Sequence, residues 1–208
     1  MRSPATVPPR LRGPIGAALL VGGALALAAI TAKGRGRTAD HRMFRRINGG
    51  LEHPVLDRFF SAITELGSIY AASSAAALVA LRGRRREAAD ALGAAATAWL
   101  VGQGLKKAWR RDRPYEGSGP FRLLIGKPRG TSWPSSHPMV LLAFVTVAGR
   151  DLGLGAPARA ALNALAGAVG ASRVYLGVHY PADVAGGMLL GRAVADLWSR
   201  SVSPRSVG

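Results

Sequence analysis

Long apolar blocks alternate along the chain with short clusters of Arg and Lys. The first block, 14–32, has no charged residue, and as a helix rising about 1.5 Å per residue it matches a hydrocarbon core about 30 Å thick. Five further apolar blocks follow, at 59–81, 88–105, 137–149, 158–178 and 179–198. Charge is costly in hydrocarbon and favourable at its boundary, so this segregation indicates helices that cross a membrane.

The blocks predict an all-α chain, an integral membrane bundle of about six transmembrane helices that forms one domain over 14–199. The second block is interrupted only by Glu65, and we expect it to be one continuous span. The polar, basic stretch 33–54 contains an amphipathic segment, which is typical of a helix lying along the membrane interface. We expect disordered tails at 1–13, which is rich in Pro and Arg, and at 200–208.

The first block has one competing interpretation, because a positively charged segment before an apolar run is also typical of a signal peptide. No convincing cleavage motif of small residues follows this block, and more apolar blocks do. We therefore expect a retained helix.

Composition narrows the class of protein further. The chain has no Cys, which excludes disulfides, thiolate chemistry and Cys-based zinc sites. Its formal charge of +17 raises nucleic-acid binding as an explanation. However, the basic residues lie at the edges of apolar blocks and have no aromatic residues interleaved for base stacking. We therefore expect no nucleic-acid partner, and an anionic lipid surface or a phosphate-bearing substrate explains the charge better.

Three polar clusters lie at the ends of apolar blocks, where polar residues are candidates for function. They are KKAWRRDRP at 106–114, PSSH at 134–137 and SRVYLGVHYPAD at 172–183. Six alternating crossings would place all three clusters on the same side of the membrane. The sequence therefore predicts one composite site.

The third cluster contains a histidine and a carboxylate four residues apart, His179 and Asp183. If a helix opens at Tyr180-Pro181, the two side chains share one face within a turn. A carboxylate that holds one imidazole nitrogen as a donor leaves the other nitrogen free to act as a nucleophile. An interfacial His followed by a helix-capping Asp would give the same spacing.

Cations accompany this pair in two of the clusters. Lys106, Arg113 and Arg173 can bind phosphate oxygens, and arginine can do so through two hydrogen bonds. Phosphoryl transfer needs fixed positive charge because its transition state spreads negative charge over the equatorial oxygens. Taken singly, each cation could equally be a side chain that reaches from the helix end to the interface.

The second cluster can supply the remaining groups. Ser135 and Ser136 stand where an apolar helix begins, so their backbone N–H groups and hydroxyls can point at an anion. His137 is then placed to protonate a leaving oxygen as a general acid. An ordinary helix cap would explain one serine, but it needs neither the histidine nor the surrounding prolines.

Together, the three clusters resemble the three-part signature of the type 2 phosphatidic acid phosphatase superfamily, K-x6-RP, PSGH and SR-x5-H-x3-D. The chain has Lys106-x6-Arg113-Pro114, then Pro134-Ser135-Ser136-His137, then Ser172-Arg173-x5-His179-x3-Asp183. The spacing within each motif and the order of the motifs agree. One position departs from the signature, because Ser136 stands where the family has Gly. We expect Ser to be tolerated if the backbone there avoids conformations open only to glycine.

The resemblance implies a role for each motif residue. His179 would attack phosphorus and form a phosphohistidine, Asp183 would orient it, and His137 would protonate the leaving group. The residues that would hold the phosphate are Lys106, Arg113, Ser135, Ser136 and Arg173. The resemblance also implies that no metal or other cofactor is needed, because these cations supply the positive charge.

The resemblance further implies a lipid phosphate or polyprenyl pyrophosphate as substrate, and a multi-pass cell-membrane protein whose site faces outward. The distribution of Lys and Arg opposes this orientation, because more of them fall on the predicted active face. Arg122, Lys127 and Arg129 in the long loop could bind a second phosphate. A loop solvated by its own charges is the alternative.

Other reactions at the same pocket stay open. Phosphotransfer between lipids and vanadate-dependent halide oxidation use the same architecture within the superfamily that the chain resembles. A non-catalytic membrane protein with an inherited pocket is a further alternative, although the complete set of motif residues argues against it.

Overall fold

The computed structural model describes residues 13–117 and 119–201, so the predicted tails fall outside it except for residues 13, 200 and 201. In this part of the chain every regular element is helical, which confirms the all-α prediction. The helices are α1 (Pro14–Ala32), α2 (Gly34–Asn48), α3 (Pro54–Thr64), α4 (Ile69–Leu81), α5 (Arg85–Ala108), α6 (Ser136–Asp151), α7 (Ala156–Tyr175) and α8 (Pro181–Ser201). Short 3-10 turns lie at Glu65–Gly67 and Pro114–Glu116.

Helix α6 forms the centre of the bundle. It packs against α5, α7 and α8, and α1 lies along α8. Its residues from Pro138 to Val145 are all buried, which explains why this block is apolar on every side. Helix α5 presents fully buried alanines to it, including Ala94 and Ala95, and such small residues let helices approach closely. The N-terminus of α6, at Ser136, therefore lies among the helices that surround α6.

The second apolar block is not one continuous helix. Helices α3 and α4 are separated by the turn Glu65–Gly67 and meet at an angle of 67°. A Cβ atom on Gly67 would lie 2.7 Å from the Cβ of His137, so glycine is needed for this turn to approach α6. The hydroxyl of Ser68 then caps α4. The expectation of one continuous helix over 59–81 is therefore wrong, whereas a single bent span over these residues stays a prediction.

The number of membrane crossings stays a prediction. Within the described residues, α1 is the one helix that is long and apolar enough to cross a bilayer by itself, and the bent pair α3–α4 would qualify if it forms one span. Large apolar side chains nevertheless remain exposed on several helices, which is the surface that lipid would cover. Examples are Leu19, Ile30, Phe59, Leu78, Leu81 and Leu100.

Helix α2 lies within the stretch that was predicted to be amphipathic. Its buried residues, Asp40, Phe44 and Asn48, recur every four positions and form one face. Asn48 is hydrogen bonded through both ends of its amide. Its Nδ2 donates to the carbonyl oxygens of Tyr175 and Arg122, at 2.7 and 2.8 Å, and its Oδ1 accepts from the backbone N–H of Arg122 at 2.7 Å. Helix α2 therefore docks onto the bundle and ties the long loop to the end of α7.

The turn between α7 and α8 depends on Gly177. Its φ of 84° is a left-handed conformation that favours glycine, and an added Cβ would lie 2.0 Å from the carbonyl oxygen of Arg122. Helix α8 begins at Pro181, which suits the first turn of a helix and agrees with the expected opening at Tyr180-Pro181, two residues inside the apolar block 179–198. His179 consequently lies in the turn, outside the helix.

The contact between Gly177 and Arg122 predicts that Gly177→Ala destabilises the protein more than the same substitution at Gly83, another glycine with positive φ. Gly83→Ala replaces a residue with φ 83° that has no atom within 4 Å of an added Cβ, so it tests the backbone conformation alone. We expect it to cost about 1–2 kcal/mol. Gly177→Ala adds a clash with Arg122 to the same strain, so it should lower the thermal unfolding midpoint in detergent clearly further. Equal midpoints for the two variants would contradict the contact with Arg122.

Candidate active site

The three predicted clusters meet at one cavity of about 210 Å³ beside the α3–α4 bend. Six of the eight predicted site residues line it, namely Lys106, Arg113, Ser136, His137, Arg173 and His179. Arg129 is a further basic lining residue, and no Asp or Glu occurs among the described residues of the lining. The charged residues in the wall of this half-open cavity are therefore all basic.

The orientation of His179 follows from its neighbours. Its Nδ1 lies 3.5 Å from Oδ2 of Asp183, and its Nε2 lies 3.4 Å from Nη1 of Arg113. A carboxylate can only accept a hydrogen bond and a guanidinium can only donate. The neutral ring is therefore expected to carry its proton on Nδ1, which leaves the lone pair of Nε2 directed towards the cations.

The surroundings also favour the neutral form of this ring. Burial, reinforced by the neighbouring cations, lowers the pKa of His179 well below that of an ordinary histidine. A lowered pKa means that the ring stays unprotonated as the pH falls towards 6.5, where an ordinary histidine is about half protonated. Its Nε2 lone pair is thus available at neutral pH.

Asp183 is fully buried behind His179 and is held by several donors. Its Oδ2 accepts from the hydroxyl of Ser132 at 2.5 Å and from the backbone N–H of Tyr180 at 2.8 Å. Its Oδ1 accepts from Nη1 of Arg111 at 2.7 Å. The Ser132 hydroxyl also lies 3.4 Å from Nδ1 of His179, so it supports both members of the pair.

Arg111 extends this network to helix α2. Its Nη2 donates to Oδ2 of Asp40 at 2.5 Å, and Oδ1 of Asp40 accepts the backbone N–H of Ala182 at 3.0 Å. The guanidinium also lies over the ring of Tyr180, 4.5 Å from its centroid. One arginine therefore links α2 to the carboxylate behind the histidine.

Sequence reasoning did not single out Ser132, Arg111 or Asp40. Arg111 lies inside the first motif, but nothing distinguishes it from the adjacent Arg110 on sequence alone. Of the three, Asp40 could most readily have been found from the sequence, because it is the one acidic residue in the basic stretch 33–51. A lone carboxylate among cations indicates a specific partner, and that partner proved to lie on a distant loop.

Lys106 and Arg113 are fixed by backbone carbonyl groups. Lys106 Nζ donates to the carbonyl oxygens of Thr131 and Ser132, at 2.9 and 3.3 Å. Arg113 donates from Nε to Gly130 at 2.8 Å and from Nη1 to Val178 at 2.9 Å. Carbonyl groups orient the two side chains without pairing them with a carboxylate. Burial lowers the pKa of Lys106 to about 7, and a bound anion would favour its charged form.

Arg173 and Ser136 carry buried donors that have no protein partner. Arg173 donates from Nη1 to the hydroxyl of Thr64 at 2.8 Å, but its Nε has no acceptor in the described structure. The hydroxyl of Ser136 is likewise buried without a partner. Unpaired polar groups inside a protein are costly, so two of them in the wall of one cavity indicate a ligand that supplies acceptors.

Ser135 does not fill its predicted position. It is fully buried, does not line the cavity, and donates its backbone N–H to the carbonyl oxygen of Asp183 at 3.0 Å. The N–H is therefore already used by the start of α8, so the part of the prediction that directs it at an anion is wrong. Ser135 instead joins the N-terminus of α6 to that of α8. The Ser135 hydroxyl is buried without a partner in the described structure, and its predicted phosphate-binding role stays a prediction.

The three loop cations have separate locations. Arg122 forms ion pairs with Asp57 and Glu52, at 2.8 and 3.1 Å, and so serves the packing of the loop. Lys127 lies over the ring of Tyr115, 5.6 Å from its centroid. Arg129 alone of the three lines the cavity, so only it keeps the predicted role as a candidate ligand for a second phosphate.

The fold and the cavity together define an all-α bundle with a pocket that contains two histidines and whose charged lining residues are all basic. The family model described as "PAP2 superfamily" matches residues 87–206, which is more than half of the chain. The chain therefore belongs to the PAP2 superfamily, which confirms the resemblance found in its motifs.

Two curated proteins resemble this chain in sequence over about half of its length. The decaprenylphosphoryl-5-phosphoribose phosphatase of Mycobacterium tuberculosis is 35% identical over 116 residues, which cover 56% of this chain and 62% of the relative. The undecaprenyl-diphosphatase of Sulfolobus acidocaldarius is 34% identical over 111 residues, which cover 52% of this chain and 50% of the relative. The chain thus matches less than two thirds of the length of either protein.

Two crystal structures share the fold. One is the first transmembrane PAP2-type phosphatidylglycerolphosphate phosphatase from Bacillus subtilis, with a TM-score of 0.72 at 25% identity, covering 88% of this chain and 94% of that one. The other is LpxE from Aquifex aeolicus, with a TM-score of 0.67 at 28% identity, covering 74% and 90%. The chain therefore has the fold of a transmembrane PAP2 protein.

The geometry around His179 predicts its protonation state. In unliganded protein at pH 6.5, nitrogen NMR of labelled histidine should show His179 neutral, with the proton on Nδ1. Asp183→Asn removes the charged acceptor and should weaken the preference for this tautomer. A doubly protonated His179 at pH 6.5 would contradict the lowered pKa, and a proton on Nε2 in the parent protein would contradict the proposed orientation.

Proposed function

We propose that the protein is an integral membrane phosphatase that hydrolyses a lipid phosphate or polyprenyl pyrophosphate through a phosphohistidine on His179, without a metal. One observation carries this proposal, namely the cavity in which His179, with Nε2 beside the guanidinium of Arg113, shares the wall with further cations and with donors that have no protein partner. A tetrahedral phosphate supplies the negative charge and the acceptors that these groups lack.

The reaction would proceed in two steps. Nε2 of His179 attacks phosphorus and the bond from phosphorus to the leaving oxygen breaks. His137 gives that oxygen a proton, which the ring can carry once the bound phosphate anion offsets the neighbouring cations. Neutral His137 then takes a proton from water, the resulting hydroxide attacks the phosphohistidine, and inorganic phosphate leaves. His179 regains its lone pair and His137 its proton, so the cycle closes.

The groups around His179 have separate tasks in this scheme. Asp183 accepts the Nδ1 proton and stabilises the positive charge that develops on the ring as the N–P bond forms. Lys106, Arg113 and Arg173 bind the equatorial oxygens, where negative charge accumulates in the transition state. Because backbone carbonyls hold Lys106 and Arg113 in place beforehand, little reorganisation is needed during the reaction.

A lipid substrate is supported by the relatives and by the walls of the cavity. Both curated relatives are named for polyprenyl phosphate compounds. Tyr70 and Trp99 line the cavity and are exposed on the outside of the bundle, at 82% and 39%, so an apolar chain has a surface to follow. Arg129 at the same cavity would bind the second phosphate of a pyrophosphate.

We assign the protein to the cell membrane as a multi-pass protein whose site faces outward. This orientation follows from the family resemblance, and it stands against the excess of Lys and Arg on the active face. The phosphate-binding role of Lys106, Arg113 and Arg173 accounts for part of that excess, because these residues would be retained for catalysis whichever side they face.

Activity is tested by phosphate release from the detergent-solubilised protein in EDTA. The substrates are phosphatidic acid, phosphatidylglycerol phosphate, undecaprenyl pyrophosphate and a phosphorylated prenyl sugar. We expect release from at least one of them, and a loss of more than about a thousandfold in His179→Ala. His53→Asn, at an exposed histidine, should retain activity.

Three results would count against the proposal. A requirement for added magnesium would exclude the metal-free mechanism. Turnover that depends on an acceptor lipid would identify a phosphotransferase instead. Full activity in His179→Ala would remove the phosphohistidine.

The role of His137 is tested by the basicity of the leaving group. His137→Asn should slow release from a lipid alkoxide strongly, because that oxygen needs a proton as it departs. The same variant should lose much less activity on p-nitrophenyl phosphate, whose phenolate leaves without protonation. Equal losses on the two substrates, measured in one detergent, would show that His137 is not the general acid.

A further inference from the structure

A second cavity, of about 310 Å³, lies between helix α2 and the loop that follows the first motif. It shares no lining residue with the catalytic cavity. The two are nevertheless neighbours along the chain, because Pro114 follows Arg113 and Tyr180 follows His179. The lining residues used below are Arg37, Thr38, His41, Arg45, Phe121 and Tyr180.

Helix α2 gives this cavity a positive wall. Arg37, His41 and Arg45 are spaced four residues apart and therefore lie on one face of the helix. Arg37 and Arg45 are exposed, and neither forms an ion pair within the described chain. No carboxylate lines the cavity among the described residues, so the two charges are uncompensated.

Two carboxylates beside the lining residues are already in use. Glu116, which lies in sequence between Pro114 and Gly117, accepts the backbone N–H of Arg113 at 2.6 Å. Asp40 is buried on α2 and accepts hydrogen bonds from Arg111 and from the backbone N–H of Ala182. It cannot turn towards the cavity without breaking both bonds. The positive wall therefore has no acidic group of its own to neutralise it.

The opposite side of the cavity is partly aromatic. The ring of His41 stacks on that of Tyr180, with centroids 4.4 Å apart and planes 12° from parallel. Phe121 contributes from the loop. Stacking restricts the orientation of the His41 ring, and this imidazole adds a hydrogen-bonding group to the two guanidinium groups. The Thr38 hydroxyl donates to the carbonyl oxygen of Gly34 at 3.2 Å, so it can offer a ligand only its oxygen.

We propose that this cavity, the α2 pocket, binds a phosphate group at a second site separate from the catalytic one. Two guanidinium groups and an imidazole in the wall of one half-open cavity are groups that recognise phosphate oxygens. The phosphate could belong to the headgroup of an anionic lipid or be free in solution. This inference goes beyond the proposed function, because it requires no turnover.

The pocket is also connected to the catalytic residues. Tyr180 forms part of its wall, and Arg111 lies over the same tyrosine ring while it holds Asp183. An anion seated against His41 therefore lies on a continuous path of contacts to the carboxylate behind His179. Binding at the α2 pocket is thus placed to influence the catalytic pair.

His41 provides a readout for the test. Burial lowers the pKa of His41; Arg37, Arg111 and Arg45 lower it further, and Asp40 partly opposes them. A bound phosphate adds a negative charge beside the ring and should raise this pKa by about one unit. The full-length protein in phosphatidylcholine nanodiscs is titrated by histidine NMR with and without inorganic phosphate, and the His41 signal is assigned with His41→Gln.

Two double variants separate the pocket from general charge effects. Arg37→Gln with Arg45→Gln removes the cations of the pocket and should abolish the rise. Arg42→Gln with Arg46→Gln removes the same charge from exposed positions on the same helix that do not line the pocket, and should retain it. Equal responses in the two double variants would overturn the proposal.

A second experiment distinguishes a lipid headgroup from free phosphate as the ligand. Phosphatidylglycerol nanodiscs without inorganic phosphate offer a lipid phosphate alone. A rise of the His41 pKa with inorganic phosphate supports a free anion, and a rise with phosphatidylglycerol supports a lipid headgroup. No rise under either condition would overturn the α2 pocket. An enzyme inactive in every phosphatase assay can still give a positive result here, so the two proposals fail separately.

Discussion

The site depends on one shared cation, the guanidinium of Arg111, which bridges Asp40 of α2 and Asp183 of α8. Two buried carboxylates so close to one another would repel, and each would be costly to bury alone. Arg111 satisfies both and thereby fixes the first turn of α8 against α2. The position of His179 follows from this, because its partner carboxylate has no freedom to turn away.

His179 lies between two groups of charged side chains. The carboxylates lie behind the ring with Arg111, whereas Lys106, Arg113 and Arg173 lie in front of it. Burying cations without acidic partners costs free energy, which hydrogen bonds to backbone carbonyls offset only in part. The protein thus carries a local destabilisation that a bound anion would relieve, and functional pockets commonly have this property.

The elements that the sequence predicted well are those defined by local spacing. His179 and Asp183 lie within one turn of chain, and the long helices follow from uninterrupted apolar blocks. The errors concern contacts between distant residues. The break at Gly67 results from its approach to His137, and the pairing of Asp40 with Arg111 joins residues 71 positions apart. Periodicity within one segment contains no information on either contact.

The long loop before α6 is clamped towards both ends, and between them Tyr115 and Arg113 donate hydrogen bonds to the carbonyl oxygens of Pro128 and Arg129. Asn48 holds it at Arg122, and Arg113 and Lys106 hold it again from Gly130 to Ser132. The short segment between these clamps carries Arg129 into the wall of the catalytic cavity. Substitutions in this segment change the side chains that line the cavity. The hydrogen bonds to the loop backbone meanwhile keep Arg113 and Lys106 in place. A lineage can therefore acquire new headgroup preferences by altering a few residues, without rebuilding the chemistry beneath them.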